Sequence, residues 1–166
     1  MTRPDVAVRT AERSDLLAVT RIERECFSDP WPYDAFRRLL DEPAFLVAAT
    51  ADATVGYVVA DRTPTHGRDV GHVKDLAVRP GARGEGVGRT LLRSALARLR
   101  ATGTAVARLE VRVGNDPARS LYAGEGFEPI RRETNYYRDG EDALVLAIDL
   151  AAWADPEPPR DPESRR

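Results

Sequence analysis

The spacing of apolar residues switches between two periods along the chain, and each switch marks an element. VAVR (6–9) alternates and predicts a short first strand. Leu16, Val19, Ile22 and Cys26 then recur at helical spacing over LLAVTRIERECF (16–27), with Ser14 or Asp15 as cap. Ser28-Asp29-Pro30-Trp31-Pro32 breaks that helix, because each proline restricts the residue before it. YDAFRRLLDE (33–42) predicts a second short helix. FLVAAT (45–50) and VGYVVADR (55–62), joined by Ala51-Asp52-Ala53-Thr54, predict a β-hairpin. A further strand, roughly 70–78, is stopped by Pro80. In GVGRTLLRSALARLRAT (86–102), Val87, Leu91, Leu92, Ala95, Leu96 and Leu99 share one helical face. ARLEVRV (107–113) alternates cleanly. A helix opens at Asn115-Asp116-Pro117, with asparagine or aspartate as cap and Pro117 in its first turn, and ends at Gly124 or Gly126. FEPIRRE (127–133) and ALVLAIDL (143–150) are the last strands, joined by TNYYRDGED (134–142). The order β-α-α-β-β-β-α-β-α-β-β predicts an α/β domain with a mixed sheet, since hairpins and crossover helices both occur. That domain is expected to span 1–150, with the proline-rich, charged segment 151–166 a disordered tail.

Size and charge narrow the class. The 166 residues suffice for one domain with its own core. With 42% hydrophobic and 31% charged residues, the chain has a soluble globular profile. A net charge of −2, from 25 basic and 27 acidic side chains, marks no nucleic-acid binder. Lys74 is the only lysine. Cys26 stands alone, so no disulfide forms within the chain, which suits a reducing cytoplasm. No stretch of the N-terminus MTRPDVAVRT has signal-peptide character, and no window approaches a membrane span. A cytosolic protein without membrane attachment is the expectation.

Candidate chemistry gathers at RPGARGEGVGRTLL (79–92), where Gly81, Gly84, Gly86 and Gly88 precede the leucine-rich helix. A Walker A loop is excluded, because no Gly-Lys-Ser/Thr follows. A dinucleotide fingerprint has some support: Gly84, Gly86 and Gly88 follow a strand, and Glu110 comes on the next one. Against it, the third glycine falls one residue early, and the α/β repetition downstream is too short. A turn that merely eases a strand into a helix accounts for one or two of the glycines. The third reading is a pyrophosphate cradle, since Arg83-Gly84-Glu85-Gly86-Val87-Gly88 fits Gln/Arg-x-x-Gly-x-Gly/Ala. Bare N–H groups at a helix N-terminus attract phosphate, and absent Cβ atoms allow close approach.

With LAVRP before it, this pattern resembles the signature of the GNAT superfamily of N-acetyltransferases. The likeness covers roughly residues 6 to 150. DPWPYDAF (29–36) resembles the helix-linking loop of bacterial ribosomal-protein-alanine acetyltransferases. GHVKDLAV (71–78) and YYRDGEDA (136–143) are more similar to archaeal and eukaryotic N-terminal acetyltransferase subunits. LEVRVGNDPARSLYAGEGF (109–127) is similar to both. The resemblance implies a twisted, mostly antiparallel mixed sheet of about seven strands flanked by about four helices. It implies transfer of acetyl from acetyl-CoA to protein N-terminal α-amines, with no metal.

Residue by residue, the resemblance assigns backbone amides around Leu76, Ala77 and Val78 to the pantetheine arm, one of them polarising the thioester carbonyl. Arg83, Gly84, Glu85, Gly86, Val87 and Gly88 would hold the pyrophosphate, with Arg89 assisting and Asn115 contacting the cofactor arm. Glu110 would be the general base, acting through a water. Read from the alternation of LEVRV alone, Glu110 belongs to a solvent face with Arg108 and Arg112. His72 matches a histidine used beside the strand glutamate in archaeal relatives, while a lone histidine at a strand start also serves structure. The motif gives Lys74 and Asp75 no proton-transfer role. Tyr122 would be the general acid that reprotonates the CoA thiolate, and its helix also needs an aromatic there for packing. Phe27, Asp29, Pro30 and Trp31 would line one wall of the peptide groove, with Tyr136 and Tyr137 on the other; hairpin packing is the alternative for the tyrosines.

Asp29 stands where archaeal relatives carry a glutamate linked to Met termini, which leaves Ala, Ser, Thr and Met termini open. Ribosomal-protein clients and a partner subunit follow by analogy only. Two alternatives remain: a small-molecule amine acetyltransferase, and a non-catalytic acyl-CoA-binding module.

Overall fold

The computed structural model describes residues 5–65 and 68–153. Its elements follow the predicted order: β1 (Ala7–Thr10), α1 (Leu16–Cys26), α2 (Tyr33–Arg38), β2 (Ala44–Ala49), β3 (Thr54–Thr65), β4 (Arg68–Val78), α3 (Val87–Ala101), β5 (Val106–Arg112), α4 (Asp116–Glu125), β6 (Glu128–Glu133) and β7 (Ala143–Asp149). The strands form one seven-stranded sheet in the order β1-β2-β3-β4-β5-β7-β6, in which β4 and β5 are the parallel pair.

Strand alternation divides the core into two layers. Leu46, Ala48, Val58 and Ala60 face the leucine stripe of α3, which contributes Leu91, Leu92, Ala95, Leu96 and Leu99. Their neighbours Phe45, Val47, Tyr57 and Val59 face the other way, onto Leu16, Val19 and Ile22 of α1 and Phe36 of α2.

Three local expectations shift. The α1 cap is one: Asp15 turns its carboxylate back to accept from the Glu12 N–H at 2.8 Å and from the Arg9 guanidinium at 2.7 and 2.8 Å. Helix α2 stops at Arg38 rather than 42, because the chain must already turn toward Pro43 and β2. The packed domain also continues past 150. Trp153 is buried, with the Arg100 guanidinium 4.9 Å from its ring centroid and donating 3.0 Å to its carbonyl. The predicted tail from 154 onward lies outside the described residues.

Two features of β4 create the site. Its register against β3 slips between Val59 and Ala60, which face Asp75 and Val73, so Lys74 is the extra residue of a β-bulge. Its parallel pairing with β5 covers only Val70–His72 against Val106–Arg108. Beyond that point β4 stays with β3 and β5 stays with β7, so the two central strands part.

Candidate active site

The parting strands open a cleft of about 550 Å3, closed laterally by the α1–α2 loop, α4 and the β6–β7 loop. Val73, Lys74, Asp75 and Leu76 line it from β4, and Leu109 to Arg112 from β5. Lost ladder pairing leaves the backbone groups of β4 on that side without partners on β5, as at a sheet edge.

Alternation settles which backbone groups those are. The Arg79 N–H donates to Val55 O, toward β3, at 2.9 Å. Two residues back, Ala77 therefore also points its backbone groups at β3, and its side chain is buried among Tyr57 and Val59. Leu76 and Val78 face the open edge, where Val78 O accepts from Arg83 Nε at 3.0 Å. Of the three expected amides, the register thus removes Ala77.

After Val78 the chain makes a short 3₁₀ turn at Pro80–Ala82 and enters α3 through Gly84 and Gly86, both left-handed at φ 83° and 82°. A Cβ at either would meet nothing within 4 Å, so conformation rather than crowding demands glycine. The turn is exposed, with Glu85 pointing outward, and Val87 is the first core residue of α3. Such a turn at a helix N-terminus is an anion-binding arrangement. Arg83 does not extend along it: its guanidinium also donates to Cys26 Sγ at 3.3 Å, and burial pushes the Cys26 thiol pKa up. Arg89 lies against α4, with a nitrogen 3.4 Å from where a Gly124 Cβ would stand. Asn115 is the cap of α4, accepting from the Ala118 N–H at 3.3 Å, and also lines the cleft.

Glu110 and His72 come together at 2.5 Å between Oε2 and Nε2. The solvent-face reading of Glu110 is overturned, since only 15% of its side chain is exposed. Hydrogen bonding to His72 holds the Glu110 carboxylate below its ordinary range against the opposing effect of burial, and the charge of Arg108 adds to it. Tyr122 lines the same cleft from α4 and packs edge-on against Phe127 at 5.8 Å between centroids. Burial, then the charges of Asp75 and Tyr137, push its phenol well above the usual range, so it holds its proton. Packing and a proton-donor role coincide in one side chain.

The expected groove walls face each other. Phe27, Asp29 and Trp31 line one side, with Trp31 tilted on Phe36 at 5.5 Å. Tyr137 lines the other, stacked edge-on with the more exposed Tyr136 at 5.0 Å. Pro30 and Tyr136 are not among the residues that line the cleft. An ion pair from Asp29 to Arg138, 3.4 Å long, spans the walls at the surface. Arg112 anchors the tyrosine loop: it donates to Asp139 at 2.9 Å and Glu141 at 3.0 Å, and its guanidinium lies 3.9 Å from the Tyr137 ring centroid.

Glu23 and Asp75 also line the cleft, and no motif marks either as a site residue. Glu23 leaves one trace in the sequence, a charge four residues after Val19 on the apolar face of α1. The alternation of β4 hides Asp75, because the bulge at Lys74 resets which side it faces.

A split parallel pair, a glycine turn at a helix start, and a cleft lined by both Glu110 and the protonated Tyr122 are features that suit an acyl-CoA-dependent transferase. Residues 16–127 match the Acetyltransferase (GNAT) family, and the chain belongs to it. It is 36% identical over 155 residues to an N-alpha-acetyltransferase of Sulfolobus acidocaldarius, covering 86% of this chain and 92% of that one. It is 34% identical over 149 residues to the N-alpha-acetyltransferase RimI of Mycobacterium tuberculosis, with coverages of 87% and 92%. The crystal structure of the ribosomal-protein-S18-alanine N-acetyltransferase from Escherichia coli superposes with a TM-score of 0.76 at 26% identity, over 88% of this chain and 94% of that one.

Proposed function

We propose that the chain acetylates the N-terminal α-amine of proteins with acetyl-CoA. The observation that carries this reading is Glu110, hydrogen-bonded to His72 behind it, lining the same cleft as the protonated Tyr122, where β4 and β5 part. The activities named for the relatives in Sulfolobus acidocaldarius and Mycobacterium tuberculosis support α-amines as the acceptor class. The Escherichia coli neighbour, named for the alanine of ribosomal protein S18, supports ribosomal proteins as clients. No helix among the described residues is long and apolar enough to cross a membrane.

Acetyl-CoA fits the observed surface. The Gly84–Gly86 turn and the α3 N-terminus would hold its pyrophosphate, and the open edge at Leu76 and Val78 its pantetheine arm. When bound, it supplies an activated acetyl thioester. An α-amine has a pKa near 8, so a useful fraction is neutral at physiological pH. As nitrogen bonds to the acetyl carbon, Glu110, held by His72, takes the amine proton through a water. Tyr122 gives its proton to the sulfur as the C–S bond breaks. The acceptor chain lies between the Phe27–Trp31 wall and Tyr137.

Turnover on a library of N-terminal peptides tests the reading. Acetylation of the α-amine is expected, with kcat lowered in Tyr122→Phe, which keeps the ring packed on Phe127. Turnover confined to polyamines or other small amines, or none at all, would sink it. The cradle is tested separately by Gly86→Val. A β-branched residue cannot hold a φ of 82° without strain, so KM for acetyl-CoA is expected to rise about tenfold while peptide KM holds.

A further inference from the structure

The cleft holds a cluster that acetyl transfer leaves unused. Glu23 is only 2% exposed. Its Oε1 accepts from the Trp31 N–H at 3.2 Å, and its Oε2 accepts from the Tyr57 hydroxyl. The same hydroxyl lies 3.0 Å from Asp75 Oδ2, and Glu23 and Asp75 are themselves in hydrogen-bonding contact. One phenolic proton cannot serve two carboxylates at once. Two ionised carboxylates in contact, Glu23 buried and Asp75 partly buried, repel strongly without a cation between them.

Among the described residues no ammonium or guanidinium group bonds either carboxylate, and the Arg83 guanidinium is held by Val78 O and Cys26 Sγ. Cys26 on α1, Tyr57 on β3 and Tyr122 on α4 are the other titratable groups acting on or responding to the pair. Lys74, next along β4, is committed to Asp61 at 3.3 Å. The Leu76 N–H, which donates to Asp75, carries no net charge. Burial first, then Glu23, raises the Asp75 pKa far above the usual carboxylate range.

We propose that Glu23 and Asp75 hold one proton between them and, with Tyr57, act as positioning residues that clamp the Trp31 turn to the β4 bulge. The cluster joins the two sides of the chemistry: the acceptor wall through Trp31 N–H, and the cofactor edge through Asp75. This role rests on the acetyl-transfer reading above. The proton is retained at neutral pH and lost at alkaline pH, when repulsion pushes the wall away from β4. Peptide KM then rises about tenfold, as expected for a lost hydrogen bond to a charged group, while KM for acetyl-CoA stays level.

Infrared spectroscopy of the ligand-free protein tests the shared proton without any turnover. The carbonyl stretch of a protonated carboxyl is expected at neutral pH, fading on alkaline titration and absent from both Asp75→Asn and Glu23→Gln. Each amide supplies a permanent donor, so both variants are expected to keep a level peptide KM across the range where the wild type climbs. If one variant fails to fold, the other asks the same question from the opposite side. No such stretch in the wild type, or its persistence in both variants, overturns the shared proton. A level wild-type peptide KM, or an equal climb in the variants, overturns the positioning role. A chain that shows the stretch but acetylates no peptide overturns the positioning role through its acetyl-transfer premise, and leaves the proton in place.

Discussion

Replacement of Glu110 by glutamine is expected to lower kcat on an N-terminal peptide about 10²- to 10⁴-fold, the range for loss of a positioned general base. The amide oxygen of the introduced side chain can still accept a hydrogen bond from His72, so the strands and the cleft keep their shape. The missing property is proton affinity. KM for acetyl-CoA is therefore expected to stay within about twofold, because the cradle lies on α3 and the β4 edge. A pH signature accompanies the change. The Glu110 pKa is depressed in the folded protein, chiefly by His72. A depressed carboxylate stabilises the fold above its unfolded value of about 4.3, and that contribution disappears as pH falls through the folded value. The variant lacks the contribution, so its melting temperature is expected to fall less than the wild type's between neutral pH and about pH 3. Equal kcat in the two proteins, measured at saturating peptide, would remove Glu110 from the mechanism.

Phe36→Ala is expected to cost about 3–5 kcal/mol of stability, the range for emptying a large aromatic site in a packed core. Phe36 is fully buried and lies 5.4 Å from Tyr57, 5.5 Å from Trp31 and 6.2 Å from Phe45, centroid to centroid. At this chain length the loss corresponds to a fall in melting temperature of roughly 10 °C or more. The same cavity loosens Trp31, so any folded fraction should also show a raised peptide KM with little change in KM for acetyl-CoA. Leu17→Ala is the control: that side chain is 72% exposed on α1, and a change within about 0.5 kcal/mol is expected. Thermal melts of both variants decide the matter. A Phe36 variant as stable as the Leu17 variant would show that the α1–α2 layer does not hold the acceptor wall.

The two cases differ in how readily the residues can be found from sequence. Phe36 is legible only as part of a short helix; its contacts with Phe45 and Tyr57 join residues from three separate elements. Glu110 is marked by its motif, yet its alternation pattern alone points to solvent. Burial beside His72 overrides that pattern, because the neighbouring strand covers what an isolated strand would expose.

By itself, the sequence determined the element order, the α3 face, the glycine turn and the general place of Glu110, Tyr122 and His72. Those features rest on short-range periodicity, on turn chemistry at single positions and on contiguous motifs. Tertiary structure alone decided where β4 and β5 part, which backbone groups of Leu76, Ala77 and Val78 face the opening, and that Trp153 closes the core. It also brought Glu23, Tyr57 and Asp75 together from α1, β3 and β4. One bulged residue, Lys74, shifts the facing of every side chain around it, and such a slip leaves no periodic trace in a strand of this length. A shared proton between two carboxylates that stand 52 residues apart in the chain exists only once folding has brought them into contact at a largely buried place.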